Sequence, residues 1–453
     1  MILIATTPQL LGKIRRFPRS VRDELGRGPD SFTNLSVYAF GLSAIWIPVN
    51  TVLLQFRVLD IADEDQKNGM LGAIALVGLV VAAFSQPLMG AISDRTNSRW
   101  GKRVPYIVLG NLGLIAVVPL LGMADSFLAL MLVIAAIQLF IHVSQGPANA
   151  LLIDHIPSDK RGAGAGALNL ARVVGGGFIT VVVMLLMSRS GTGDGPSGWY
   201  WASIGLVIAV LAFTTFWTFG SLRPRNGRTD LSEPKNAEPV PRVVDAPGES
   251  QAASHDMKGY YWFLAAMAMI VGALTAMQIF ALFFIRDKVG LDNPAAGAAA
   301  LALMIALGAA IAVYPAGKIS DRFGRMPVLY GSSIVIAVAA GLLLFVSAIV
   351  PLVVLGLFIG IGAAMFLSGG WALITELVPR KNAGRSLGLT AFSTLAGTGL
   401  ARLSGFGIDA LNRQSENLGY DALIIGIVAM LVLSIYPLRQ AGIGLTRARA
   451  GLS

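Results

Sequence analysis

The chain contains no cysteine, only three histidines and few charges: 13% of its 453 residues are Asp, Glu, Lys or Arg. Each scarcity excludes something. Without cysteine there is no disulfide framework, no haem attachment and no thiolate metal site. His142, His155 and His255 are too scattered to hold a metal, and no metal or other cofactor is expected. No phosphate-binding loop, catalytic triad or metal-ligand spacing is present, so the chain does not read as an enzyme. Ordinary soluble domains carry about 25% charged residues. Here apolar residues reach 55% and mean hydropathy is +0.69, as in a polytopic membrane protein. The net charge of +10 fits many short basic loops and does not point to nucleic acid. The first thirty residues are polar and basic, with no cleavable signal peptide; Leu10, Leu11, Ile14 and Phe17 fall near helical spacing, which allows either a surface amphipathic helix or a disordered basic tail.

What is present is a series of long apolar runs. A spanning helix needs roughly 20 apolar residues. That ruler places spans near 34–58, 68–93, 105–123, 127–155, 163–188 and 199–220, then near 259–285, 295–317, 328–348, 351–378, 385–410 and 421–437. Between the two sets, Ser221 to Lys258 is rich in Pro and charge and reads as a disordered linker. The expected division is a tail over 1–32, a six-helix bundle over 33–220, a linker over 221–258, a second bundle over 259–438 and a tail over 439–453. Twenty-seven Lys and Arg fall on the side of the termini. Six fall on the other, namely Arg57, Lys67, Arg189, Arg286, Lys288 and Arg413. The excess predicts cytoplasmic termini and a cytoplasmic linker in the cell (inner) membrane.

Two repeated motifs relate the halves. Gly90-Ala-Ile-Ser-Asp94-Arg95 returns 227 positions later as Gly317-Lys-Ile-Ser-Asp321-Arg322. Asp154-His-Ile-Pro157, followed by Lys160 and Arg161, corresponds to Glu376-Leu-Val-Pro379, followed by Arg380 and Lys381. Gly90 is expected to let a neighbouring helix approach closely. Parallel six-helix halves predict a solute site near the bilayer midplane between them.

These motifs and the six-linker-six layout resemble the major facilitator superfamily over nearly the whole chain. The resemblance implies an all-α membrane protein of twelve transmembrane helices in two pseudo-symmetric bundles. Pro87-Leu-Met-Gly90 with Asp94 to Pro105 looks like the glycoside-pentoside-hexuronide symporters, and Gln145-Gly-Pro-Ala-Asn149 like the sucrose-proton symporters. The resemblance implies a carrier for a sugar or glycoside. In those groups carboxylates hold the coupling cation or proton; this chain has Ser43, Ala82, Gln86, Gln138 and Gln145 at the corresponding places. Amides bind sugar hydroxyls but neither carry a proton nor supply charge to a cation, so inherited ion coupling is not expected.

Arg172, inside the fifth span, offers a fixed fork of donors to a solute, or pairs structurally. Gln138, Gln145 and Asn149 form a stripe on the fourth span that Asn169 and Arg172 face from the fifth. Trp46, Trp371, Tyr38, Gln278, Asn50 and Gln55 are further lining candidates, against simple packing. Gly175, Gly176 and Gly177 would permit close approach or bending. His142 is the one intramembrane group titrating near neutrality, against a neutral hydrogen-bonded histidine. Arg402 and Asp409, two turns apart, form an interior pair, or Asp409 lies at the outer end and Arg402 packs alone. Asp94, Arg95, Asp154, Arg161, Asp321, Arg322 and Glu376 are expected to gate the cytoplasmic face, against a purely topological role. Trp199, Trp201 and Trp262 read as interfacial belt residues. The expected partners are a small-molecule substrate and the lipid bilayer, in a monomer. An exporter of drugs or metabolites and a non-transporting assembly protein are the competing readings.

Overall fold

A computed structural model describes residues 32–96, 98, 102–155, 161–190, 195–220, 257–377 and 383–449. The side chains of 150–166, 371–372 and 375–387 lie outside that description, as do the tail before residue 32 and the linker through 256.

Among the described residues, twelve helical rods cross the molecule. In the first half, α1 runs Phe32–Pro48, passes through a π turn at Val49–Leu53 and ends with Leu54–Ile61. It is followed by α2 (Lys67–Arg95), α3 (Val104–Val117 with Leu120–Met123), α4 (Phe127–His155), α5 (Arg161–Met187) and α6 (Gly198–Gly220). In the second, α7 is Met257–Phe284 with a π turn at Ile285–Val289, then come α8 (Pro294–Phe323), α9 (Arg325–Leu342 with Leu343–Phe345), α10 (Ile349–Leu377), α11 (Ala383–Asn412) and α12 (Leu418–Leu433 with Ile435–Arg449). The tail expected from residue 439 is therefore helical as far as Arg449.

Eleven of these rods are long and apolar enough to cross a membrane. The exception, α11, carries Thr390, Ser393, Thr394, Thr398, Arg402 and Ser404. It is the least apolar helix because it is packed between others: against α7 in its own half and α2 in the other. Local chemistry sets the ends. Asn293 caps α8, its Oδ1 accepting from the Ala296 N–H at 3.0 Å, with Pro294 as the first helical residue. Gly324, at φ 92°, turns the chain from α8 into α9.

The duplication visible in the sequence is repeated in the packing. In the first half α1 packs on α5, α2 on α4 and α3 on α4; in the second α7 packs on α11, α8 on α10 and α9 on α10. The halves meet along two related seams, α2 with α11 and α5 with α8. α4 approaches the α2 backbone at Gln86 to Gly90 through its own glycine, a Cβ on Gly146 standing 3.0 Å from the Gln86 carbonyl oxygen and 3.4 Å from the Gly90 nitrogen. A Cβ on Gly90 itself would meet nothing within 4 Å. The glycine that admits the neighbour is on the opposite helix. Gly175 and Gly176 face Phe40 and Ile47 of α1, and α5 runs unbroken through them, so they serve close approach.

We call the side of the α1–α2, α5–α6, α7–α8 and α11–α12 connections the odd-loop face, and the opposite side the even-loop face. At the odd-loop face one continuous core joins both halves, from Leu53, Leu54 and Val58 to Phe283, Ile285 and Tyr420. Toward the even-loop face, α8 is covered only along Ala312, Ala316 and Ser320, while Ile311, Val313, Tyr314 and Ile319 are exposed around it. Among the described residues the molecule is closed at the odd-loop face and open at the other.

Candidate functional site

The fourth-span stripe points inward as a unit. Gln138, His142, Gln145 and Asn149 repeat at helical spacing on α4, and the apolar exposed residues Leu128, Leu132 and Leu139 mark a different side. Gln138 is buried and its Nε2 donates to Asn50 Oδ1 of α1 at 2.9 Å; Asn50 Nδ2 in turn donates to the Trp46 carbonyl at 2.8 Å. Lower on the stripe, Asn149 Oδ1 accepts from Arg172 Nη2 of α5 at 2.5 Å, and Arg172 Nη1 donates to Asn169 Oδ1 at 3.3 Å. Gln145, Asn149, Arg172 and Tyr38 line one small recess among α1, α4 and α5. The fork of Arg172 is thus oriented by two neutral amides, and no carboxylate among the described residues pairs with it.

The other candidates divide. Tyr38 is buried, its hydroxyl bonded to Ser144 and, at 3.4 Å, to Asn111 Oδ1, so it fixes α1 on α3 and α4 and presents no free ring face. Gln55 is spent between halves, donating to the Ile279 carbonyl of α7 at 2.7 Å. Trp46 is partly exposed and Gln278 is exposed without a hydrogen bond among the described residues. His142 is buried, and its Nδ1 has no partner among the described residues. The side chains of Trp371, Asp154, Arg161 and Glu376 lie outside the described residues. Trp199 packs its ring under Arg189 at 5.1 Å, near the odd-loop face, and Trp262 meets Tyr436 edge to face at 5.6 Å.

Of the two alternatives for Arg402 and Asp409, the second fits the structure: the two do not pair. Arg402 Nη1 folds back onto the Thr398 carbonyl at 2.8 Å, while Asp409, one turn from the end of α11, clamps the start of α2. It accepts from Asn68 N at 3.2 Å, Asn68 Nδ2 at 2.8 Å and Gly69 N at 2.5 Å. Two of those donors, the Asn68 and Gly69 N–H, are unsatisfied first amides of α2, a better partner for a carboxylate than a guanidinium two turns away. This occupies the carboxylate that was a proton-coupling candidate. At the even-loop face, the ion pairs of the charged motif residues among the described residues lie within one half. Asp94 pairs with Arg103 at 2.6 Å and Asp321 with Arg325 at 2.7 Å, each within its own half, and Arg322 lies over the Phe323 ring.

The contacts that do bridge the halves were missed. At the odd-loop face Glu64 accepts from Arg286 of α7 at 2.6 Å and is also bound by Lys67; Lys67 reaches Asp287 at 2.6 Å. Tyr420 of α12 donates to Asp287 at 2.6 Å and to Asn68 Oδ1 at 3.3 Å, and Asn293 donates to the Ser188 carbonyl at 2.6 Å. Burial raises the Glu64 carboxyl, but the hydrogen bonds and charges of Arg286 and Lys67 outweigh it and hold the group below the ordinary glutamate value. The acidic run Asp60 to Asp65, facing Lys67 and Arg286 in a chain with so few charges, was the signal available in the sequence.

A concavity larger than the recess at Gln145 and Arg172 lies elsewhere. It is a shallow cleft of α1, α5 and α6 around Phe40 and Phe213, almost wholly apolar and open sideways, as suits a lipid-facing flank.

Comparison with known proteins follows the geometry. The model of the Major Facilitator Superfamily matches residues 32–401 and again 263–451. The inner membrane symporter YicJ of Escherichia coli is 29% identical over 187 residues, 40% of this chain and 39% of that protein. The citrate-proton symporter of Klebsiella pneumoniae is 34% identical over 144 residues, 30% of this chain and 31% of that protein. The chain thus spans well under half the length of these relatives. Among solved structures, a D-xylose-proton symporter aligns with a TM-score of 0.64 at 14% identity, covering 90% of this chain and 95% of that one. A bacterial homolog of the lysosomal transporter Spinster, inward-facing and occupied, aligns with a TM-score of 0.62 at 16% identity, covering 93% and 96%. These two show the fold alone.

Proposed function

The chain belongs to the major facilitator superfamily and is a secondary transporter rather than an enzyme, and from that premise we propose that it carries a sugar or glycoside by alternating access. The observation that carries this reading is the α4 stripe: Gln138, Gln145 and Asn149, joined by Asn169 and Arg172, form a wall of amide and guanidinium groups beneath a closed odd-loop face. Neutral amides offer paired donors and acceptors, the complement of vicinal hydroxyls. In a scaffold protein, an arginine at this depth would cost free energy with no return. We place the termini in the cytoplasm, on the distribution of Lys and Arg. The odd-loop face is then external and the conformation inward-open. Asp94, Arg95, Asp321 and Arg322 take their gating role when that inner face closes. Trp46 and Gln278 remain lining candidates, and His142 the candidate proton site.

Flux into proteoliposomes is the test. Members of a panel of mono- and disaccharides are expected to exchange across the bilayer, with no stimulation by sodium, since the described interior supplies no carboxylate for a hard cation. Flux of cationic drugs and of no sugar would replace this reading with the exporter.

A further inference from the structure

The last turns of α12 carry chemistry that the solute path does not use. The helix runs from Leu418 to Arg449, with Ser434 between its two parts. At about 1.5 Å per residue, Tyr436 lies roughly 27 Å from the Leu418 end and Arg439 roughly 32 Å from it. The hydrocarbon core of a bilayer is about 30 Å thick. Tyr436 therefore stands at the hydrocarbon edge near the even-loop face, and Arg439 stands just beyond it, at the depth of lipid headgroups.

This end is docked on its inner side. Leu438 and Ala441 are buried, the segment packs on α7 and α9, and a Cβ on Gly442 would stand 3.3 Å from the Met326 side chain of α9. The outer side differs: Val432, Leu433, Tyr436 and Arg439 are exposed along one strip. Beside it on α7, Tyr261 and Trp262 are exposed, and the Trp262 and Tyr436 rings meet edge to face at 5.6 Å. Lys258 is one turn outside Trp262, as Arg439 is one turn outside Tyr436, and both are exposed. Arg439 lies close enough to Tyr330 of α9 for its charge to act on the phenol. Three helices thus set aromatic rings at the hydrocarbon edge with positive charge one turn beyond. The odd-loop end is built otherwise, since there Arg189 lies over the Trp199 ring itself at 5.1 Å.

We propose that this corner of α7, α9 and α12 binds one anionic phospholipid from the leaflet at the even-loop face. The phosphate sits on Arg439, beside the Tyr330 phenol, and an acyl chain runs along Val432 and Leu433. A guanidinium meets phosphate oxygens with paired N–H donors, and each cation near the headgroup level adds to the attraction for an anionic lipid. Tyr and Trp suit this depth because each has an apolar body and a polar tip. The apolar strip directly beneath the cation selects a lipid over a soluble phosphate ester, which would leave that strip uncovered.

Native mass spectrometry of the full chain tests this, with the protein delipidated in detergent and offered palmitoyl-oleoyl phosphatidylglycerol and the matching phosphatidylcholine in equal amounts. The anionic lipid is expected to stay bound at least about fivefold in preference to the zwitterionic one. Arg439→Gln should remove most of that preference, and Arg439→Lys should keep most of it. Arg189→Gln, at the odd-loop end, should leave it unchanged. An excess of glycerol phosphate, a headgroup without chains, should not displace the lipid. Equal retention of the two lipids would overturn the inference, and so would an Arg439→Gln protein that holds the anionic lipid as the parent does. An equal loss in Arg189→Gln would show diffuse attraction to positive charge, and displacement by glycerol phosphate would show a soluble ester as the occupant; either result overturns it too. Should Arg439→Gln fail to fold, the parent's lipid ratio with and without glycerol phosphate decides.

Discussion

Asp409 shows how a single carboxylate can change meaning between sequence and structure. In the chain it lies seven residues from Arg402, which suggests a pair on one face of a helix. In space it is buried over the first turn of α2, taking three donors from Asn68 and Gly69. Asp409→Ala leaves those buried donors without an acceptor. A charged hydrogen bond contributes about 1.5–3 kcal/mol and an orphaned donor costs about as much again, so the loss should be roughly 2–3 kcal/mol after relaxation. Thermal unfolding in detergent should show it as a clear fall in midpoint; an unchanged midpoint would mean the clamp contributes nothing. The α4 stripe was legible because helical periodicity assigns a face without knowledge of partners, and Gln138, Gln145 and Asn149 do share one. The partner of Asp409 was not, because it lies 340 residues away on a helix whose register no local pattern fixes.

At the scale of elements, the α1–α2 connection and the end of α7 form one ionic lock. Glu64 binds Arg286 and Lys67, and Lys67 reaches Asp287. The Glu64 carboxyl is held below its ordinary value in the closed lock. Lock stability from this group is therefore complete above the ordinary glutamate value, and it is lost as pH falls through the lowered one. Acidification below the usual glutamate range should open the odd-loop face, and Glu64→Gln should open it at neutral pH. Because the chain has no cysteine, spin labels can be placed at Asp65→Cys and Asp292→Cys, exposed positions on either side of the lock. Their separation should lengthen in acid in the parent and be insensitive to acid in Glu64→Gln. The repeated Asp94 and Asp321 motifs drew attention to the opposite face, where each pair closes on its own half. A motif repeated in sequence marks duplication; which face is shut at a given moment is a property of conformation and leaves no repeat.

For the whole molecule, the question is what lets two six-helix bodies meet and part. The α2–α11 seam is closed by backbone against backbone, through small residues where no side chain fits. A Cβ on Gly72 would collide with the Arg402 carbonyl, and one on Gly405 with the Asn68 carbonyl. Rigid carbonyls on a continuous helix cannot yield as a flexible side chain would, so the halves themselves must separate. Gly72→Ala should therefore leave each bundle folded yet hold the odd-loop face apart, lengthening the Asp65–Asp292 label separation and slowing flux about tenfold or more, equivalent to at least about 1.4 kcal/mol against closure. Gly399→Ala is the matched control on the same seam, since its Cβ would meet only Leu79 and Leu76, at 3.8 and 3.9 Å, which is ordinary contact. Equal behaviour of the two variants would show that backbone contact at this seam does not set the closed state. A selective effect of Gly72→Ala would place the switch between conformations in the least apolar helix of the twelve, where glycine and hydroxyl residues replaced hydrocarbon so that a seam could open.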